Sequence, residues 1–382
     1  MTYMNCTNVL LFQIDTALDI GALVFLVLST SVFRYNNMCG IVAYLGKRKA
    51  KDVLVKGLKR LEYRGYDSSG IGVITTAGKV GIVKKVGKVI NLDNAVQVAT
   101  AEIQDATLGI GHTRWATHGV PSDRNSHPHA NGDQTLCVVH NGIIENYATL
   151  KQGLQAKGYV FRSDTDTEVL AHLVDEIRAR SQQSLSFEEA VGLALCQVHG
   201  TFGVCFVDSK NPDVLVGARH GSPLILGIGE NEEEFFLASD AAAIVEYTRQ
   251  VVYLEEGDIV TITRGKGYEI SSLHSSRASY DSAMFDALMR LAEEKGDTPE
   301  LEHKAAKNQK IETLELSLAS IEKAGHKHFM LKEVLEQPKV SIGVCIKGGK
   351  GKKEIKNDKK GKNGKGGNLA EICAFVFAIL KN

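Results

Sequence analysis

Apolar positions in this chain recur with two different periods. Residues 40–45 and 69–74 are short, nearly continuous apolar runs that read as buried strands, and a turn at 77–79 leads to a further strand. Residues 52–63 place Val53, Leu54, Leu58 and Leu61 on one face, which predicts an amphipathic helix. Short apolar strands at 108–112 and 135–140 each run straight into polar residues, where sites tend to lie. Helices are predicted over 146–157, 167–180 and 187–198. The second of these carries Val169, Leu170, Leu173, Val174 and Ile177 in register, with Ser163 and Asp164 as caps just before it. From 202 to 270 the pattern becomes strands of about five residues with Gly, Pro and Asp turns between them. Strands, then helices, then strands, without regular strand–helix alternation, predict an α+β fold.

The two ends read differently. Residues 20–28 are an apolar run, extendable to 33, too short for a membrane span. No Lys or Arg precedes Arg34, so a signal peptide's charged start is missing. The working protein is expected to begin after residue 38, with 1–38 a mis-assigned start, a presequence or a removed segment. Helices over 280–295 and 308–324 are expected within a linker. Residues 347–368 are Lys/Gly-rich, cannot bury a core, and lack the spacing of a phosphate loop. The expected division is an extension (1–38), a main domain (39–270), a helical linker (271–338) and a low-complexity tail (339–382).

Composition adds little. The 382 residues are 43% hydrophobic and 24% charged with zero formal net charge, which gives no argument for nucleic acid as a partner. Seven cysteines, at 6, 39, 137, 196, 205, 345 and 373, lack C-x-x-C spacing and read as reduced thiols of a cytoplasmic protein.

The chemistry is concentrated in a few clusters. Cys39 follows Met38 and opens the first strand, the layout of a nucleophile that carries both a thiol and a free α-amine once the Met is removed. A cysteine before a strand is also, in isolation, a small buried hydrophobe. Four polar clusters follow at element ends: 64–68 (R-G-Y-D-S), 112–119 (H-T-R-W-A-T-H-G), 140–142 (H-N-G) and 164–168 (D-T-D-T-E). Singly they read as an ion pair, a partly buried Trp, a turn dipeptide and a helix start.

Together with Cys39 they resemble the glutaminase half of the glutamine–fructose-6-phosphate aminotransferases (isomerizing), class II glutamine amidotransferases. The resemblance runs from about 38 to 270. It is carried by L-E-Y-R-G-Y-D-S-S-G (61–70), H-T-R-W-A-T-H-G (112–119), S-H-P-H (126–129), H-N-G-I-I-E-N-Y (140–147) and S-D-T-D-T-E (163–168), and returns at H-F-M-L-K-E-V-L-E-Q-P (328–338). It implies a four-layer αββα N-terminal-nucleophile fold, with two stacked antiparallel sheets between helical layers.

It also implies roles. Cys39 attacks the glutamine carboxamide to form a thioester, and its own α-amine, with an ordinary pKa of about 7.7–8.0, moves the protons. The Asn141 side-chain amide and the Gly142 N–H form the oxyanion site. Arg114 grips the α-carboxylate of glutamine and Asp166 its α-ammonium. Thr117 and His118 line the pocket, Trp115 rides the loop that closes it, and Arg64 supports it near the thiol. No cofactor is implied, and His127-Pro128-His129 is not expected to hold a metal. The partners implied are glutamine and an ammonia acceptor, either a separate isomerase or synthase subunit or a full-length paralogue; a homodimer is left open, and neither nucleic acid nor membrane is implied.

Two departures from the pattern matter. Residues before Cys39 turn its amine into an amide, so the active form is expected to start at Cys39. After Pro338 no sugar-isomerase pattern follows, so the chain alone is not expected to make glucosamine 6-phosphate. The alternative reading is a catalytically inactive fragment that binds glutamine or a paralogue.

Overall fold

The computed structural model describes residues 39–181, 185–273, 302–304 and 311–314. The first strand, β1 (Gly40–Leu45), lies inside one sheet, between β4 (Leu108–Arg114) and β10 (Phe235–Ala238). That sheet continues through β2 (Ser68–Ile74) and β3 (Val80–Val86) on one side. On the other it runs through β9 (Ile225–Ile228), β11 (Gln250–Tyr253) and β15 (Glu312–Thr313). A second sheet has the order β14 (Glu302–Lys304), β13 (Gly267–Ser272), β12 (Asp258–Thr263), β8 (Asn211–His220), β7 (Gly200–Asp208), β6 (Leu136–Ile144), β5 (His129–Ala130). Every strand ladder among the described residues is antiparallel.

Side-chain alternation sorts the strands into layers. In β1, Ile41, Ala43 and Leu45 face the second sheet, where they meet Cys137, Val139, Cys205, Val207 and Leu215. Val42 and Tyr44 face outward onto α1 (Ala50–Leu61) and α2 (Val89–Gln97), among Leu54, Leu58 and Leu92. On the far side, Val138, Phe202, Val204 and Phe206 pack under α5 (Glu168–Arg180) and α6 (Phe187–Cys196). The result is helix, sheet, sheet, helix. It explains why these antiparallel strands read as unbroken apolar runs: both faces of each sheet are covered.

Two short helices, α3 (Ala101–Gln104) and α4 (Tyr147–Ala156), complete the set. No helix among the described residues is long and apolar enough to cross a membrane.

The structure corrects two expectations. The helix start near 167 is not capped by Ser163 or Asp164: Thr167 occupies the cap position without a side-chain cap bond. Glu168 instead folds back, its carboxylate accepting from the N–H of Arg162 (2.7 Å) and from the N–H and O–H of Ser163 (both 2.6 Å). A carboxylate in the first helical turn is a stronger acceptor than a hydroxyl, so it captures the incoming loop. Second, where helix was expected over 308–324, residues 312–313 form β15 and pair with Gln250 and Val251. Residues 308–310 and 315–324, the helix over 280–295, residues 1–38, the motif at 328–338 and the Lys/Gly tail lie outside the described residues.

Candidate active site

Cys39 stands one residue before β1. The β1–β4 ladder ends on Gly40 opposite Thr113, one residue short of Cys39. The close pairing demands Gly at 40, since a Cβ there would lie 2.6 Å from Thr113 Oγ1 and 2.7 Å from Leu61 Cδ1. The Cys39 sulfur accepts the Trp115 N–H at 3.1 Å, and its own S–H points back to the Trp115 carbonyl at 3.6 Å. Burial pushes the Cys39 thiol above its ordinary range, against the pull of the Trp115 N–H and of the Arg114 and Arg64 cations, while Asp67 adds to the rise.

The Trp115 contact depends on Asp67. Its carboxylate accepts the Ala116 N–H at 2.5 Å, and its own N–H donates to the Arg114 carbonyl at 2.8 Å. The loop leaving β4 is thereby folded over the sulfur. Trp115 itself is 39% exposed at the mouth of the site.

Asn141, on β6 of the second sheet, faces Cys39 across the gap between the sheets. Its Nδ2 donates to the Cys39 carbonyl at 3.2 Å. Gly142 follows with φ +131°, and a Cβ there would lie 2.1 Å from the Thr201 carbonyl oxygen, so no other residue fits.

Arg114 is 3% exposed. Its Nη2 donates to the carbonyls of His118 and Gly119, the latter at 2.9 Å, which curls the 115–119 loop around the guanidinium. Its Nη1 is buried with no hydrogen-bond partner. Burial lowers the Arg114 pKa, opposed by Asp67, Cys39 and Asp166, yet a guanidinium stays charged. A buried cation with an idle donor is a site waiting for an anion.

Asp166 lies in the loop before α5, buried. One carboxylate oxygen accepts the Ile144 N–H at 2.9 Å; the other sits 4.0 Å from His118 Nδ1. Its neighbours are tied down by histidines: Thr165 Oγ1 to His129 Nε2 and Thr167 Oγ1 to His140 Nδ1, each at 3.0 Å. His118 also packs edge-on against Tyr147. Thr117 lies exposed on the same loop.

Arg64, in the 3₁₀ turn Glu62–Arg64, is buried and donates to the Ser239 hydroxyl at 3.2 Å, with Asp240 at 3.8 Å. Ser239 also accepts the Ile41 N–H at 3.0 Å and so fixes the start of β1.

The structure therefore brings Trp115 onto the Cys39 sulfur and Asn141 onto the Cys39 carbonyl, with the Arg114 and Arg64 cations favouring the thiolate, and sets His118 beside Asp166, whose charge Arg114 feels. Sequence reasoning missed Asp67, Ser239, His112, His140 and Glu168. Asp67 and Glu168 lay inside quoted motifs; their bonds to the Ala116 N–H and the 162–163 loop are what a motif cannot show. Ser239 carried no signal, because its partners are about 200 residues away. Among the described residues no group of three or more His, Cys, Asp or Glu side chains converges as a metal would need.

Residues 112–246 match the family described as a glutamine amidotransferase domain. The chain is 46% identical over 303 residues to the glutamine–fructose-6-phosphate aminotransferase (isomerizing) of Chlorobaculum tepidum, covering 79% of this chain and 44% of that protein. It is 43% identical over 340 residues to the Vibrio cholerae protein of the same name, covering 89% and 48%. The chain thus spans under half the length of these relatives. Among solved structures, a glutamine phosphoribosylpyrophosphate amidotransferase from B. subtilis, complexed with ADP and GMP, superimposes with a TM-score of 0.51. At 24% identity, over 62% of this chain and 50% of that one, it shares the fold.

Proposed function

We propose, from the premise that this chain carries a glutamine amidotransferase domain of the N-terminal-nucleophile fold, that Cys39 hydrolyses the side-chain amide of glutamine. Arg114 Nη1 takes the α-carboxylate, and Asp166 takes the α-ammonium through the oxygen that faces His118. Glutamine is thereby held by its amino-acid end, with its amide carbon presented to the sulfur. His118 and Thr117 flank it, Trp115 covers it, and Arg64 steadies the entry to β1.

The free α-amine of Cys39 takes the thiol proton as sulfur attacks the amide carbon. The carbonyl oxygen becomes an oxyanion, received by the Asn141 Nδ2–H and the Gly142 N–H. The amine returns the proton to the leaving nitrogen, ammonia departs, and a glutamyl thioester remains. Water then attacks under the same amine, and glutamate leaves with the water oxygen. An ammonium beside the sulfur also counters the burial that holds the thiol protonated. Active protein therefore begins at Cys39, since an acylated nitrogen has no basicity.

The ammonia acceptor is fructose 6-phosphate held on a separate isomerase subunit or a full-length paralogue, as the names of the relatives suggest, in the cytoplasmic supply of amino sugars. The observation that carries the reading is the idle, buried Nη1 of Arg114, close enough to Asp166 and Cys39 for their charges to act on it. Ammonia release, coupled to glutamate dehydrogenase, tests it: protein beginning at Cys39 turns over glutamine and Cys39→Ala does not. Equal release by both overturns it. Binding of glutamine without release leaves the inactive-fragment reading in its place.

A further inference from the structure

One buried group next to the reacting atoms has no part in the scheme above. His112, on β4 of the first sheet, is fully buried and reaches across to β6 of the second. Its Nε2 lies 3.0 Å from the His140 carbonyl oxygen and 3.0 Å from Asn141 Oδ1. Its Nδ1 is buried with no partner. Its ring stacks on His127 at 4.1 Å and 24°, and His127 Nδ1 in turn takes the His140 N–H at 3.4 Å.

These contacts fix a chain of identities. A backbone carbonyl can only accept, so the nitrogen facing the His140 oxygen must carry the proton. The opposite tautomer would aim a lone pair at that oxygen and bury an unpaired N–H at Nδ1, which costs more than an unpaired acceptor. With Nε2–H fixed, the Asn141 atom that faces it must be oxygen. The Asn141 NH2 then has one direction left, toward Cys39, where it meets the carbonyl at 3.2 Å. An asparagine amide rotated by half a turn has nearly the same shape, so something must choose between the two orientations.

We propose that His112 is a positioning residue that makes this choice: its Nε2–H, anchored on the His140 carbonyl, holds the Asn141 oxygen inward and its NH2 toward the reacting carbon. The proposal rests on the glutaminase reading for its consequence, but not for its geometry. His112 touches no substrate. It acts through Asn141, and it ties the sheet that carries the nucleophile to the sheet that carries the oxyanion donor.

Two measurements test it. In protein labelled with ¹⁵N-histidine, His112, assigned by its loss in His112→Leu, shows a protonated Nε2 and a bare Nδ1. A nuclear Overhauser contact from the Asn141 NH2 to Cys39 is present in the parent and lost in that variant. A protonated Nδ1, or a contact that survives in His112→Leu, overturns the proposal whether or not glutamine is turned over. In the kinetic arm, His112→Leu lowers kcat about 10²-fold, as does loss of one oxyanion donor, with KM within about threefold. Placed on Asn141→Ala, where no amide remains to orient, the same change costs less than about twofold more. Losses that multiply in the double variant show a structural role and overturn the proposal. If protein beginning at Cys39 turns over no glutamine, the glutaminase reading fails and the spectroscopic arm still decides this one.

Discussion

At the scale of single residues, the site is built from groups placed where they are costly. Arg114 is a buried cation with one donor idle. Arg114→Lys keeps the charge but loses the planar fork, so KM for glutamine rises about 10- to 100-fold with a smaller change in kcat, read from initial rates. An unchanged KM would remove Arg114 from the binding step. Gly142 sits at φ +131° against the Thr201 carbonyl, and Gly142→Ala loses about 1–3 kcal/mol of stability in urea unfolding as well as turnover. His112 bears on pH. Burial pushes it from an ordinary 6.5 down to about 3, against its hydrogen bonds to Asn141 Oδ1 and the His140 carbonyl, with the Arg114 cation adding to the fall. The unfolded chain therefore binds a proton there that the folded chain refuses. Stability is full above about pH 6.5 and drains as pH falls from there toward 3. His127, His129 and His140 are displaced in the same direction, by burial first, and act in the same window. The urea midpoint falls between pH 7 and pH 5, and falls less in His112→Leu. A midpoint independent of pH over that range would mean that these histidines titrate normally.

At the scale of elements, one loop does most of the arranging. Residues 162–167 deliver Asp166 and are held by Glu168 behind them and by His129 and His140 below. Burial opposes the charge on Glu168, but His172, Arg162 and Ser163 together bring it down to about 2, so it stays ionised throughout the window in which the histidines titrate. Glu168→Gln replaces a twin acceptor by a single one and lets the loop drift. KM for glutamine then rises about 10-fold while kcat stays within about threefold, because the ammonium contact is lost and the sulfur is not disturbed. A fall in kcat alone would place Glu168 nearer the sulfur than the structure does. Here sequence and structure part company. The alternation that marks 167–180 as a helix was legible, because Val169, Leu170, Leu173, Val174 and Ile177 bury one face. The cap was not, because a carboxylate at 168 that bonds backward competes with Ser163 and Asp164, and only three-dimensional contact decides the winner. Asp67 and Ser239 were illegible as site residues for a related reason: each holds a backbone N–H far along the chain.

At the scale of the whole molecule, two sheets present Cys39 and Asn141 to one another, and the interior between them fixes their spacing. That architecture could be read in outline. Runs such as 40–45 and 136–139 carry no charged or amide side chain because both faces are buried, and the polar residues that end them mark the rim of the sheets. The strand at 312–313 escaped notice, since two exposed residues pairing with β11 carry no periodicity. Phe206, on β7, is fully buried beneath α5 and α6. Phe206→Ala costs about 3–5 kcal/mol of unfolding free energy, and in urea it lowers the midpoint without changing which substrate is bound. A cost below about 1 kcal/mol would mean that the helical layer is not packed as described.

The proposed chemistry turns on a free amine at Cys39. The most direct test compares two proteins in the same ammonia assay, with their amino termini verified by mass spectrometry. One begins at Cys39; the other keeps residues 1–38 attached. Turnover in the first and less than about 1% of it in the second is the expected result, since loss of a general base costs about 10²- to 10⁴-fold. Equal turnover by the protein with its leader intact would contradict it.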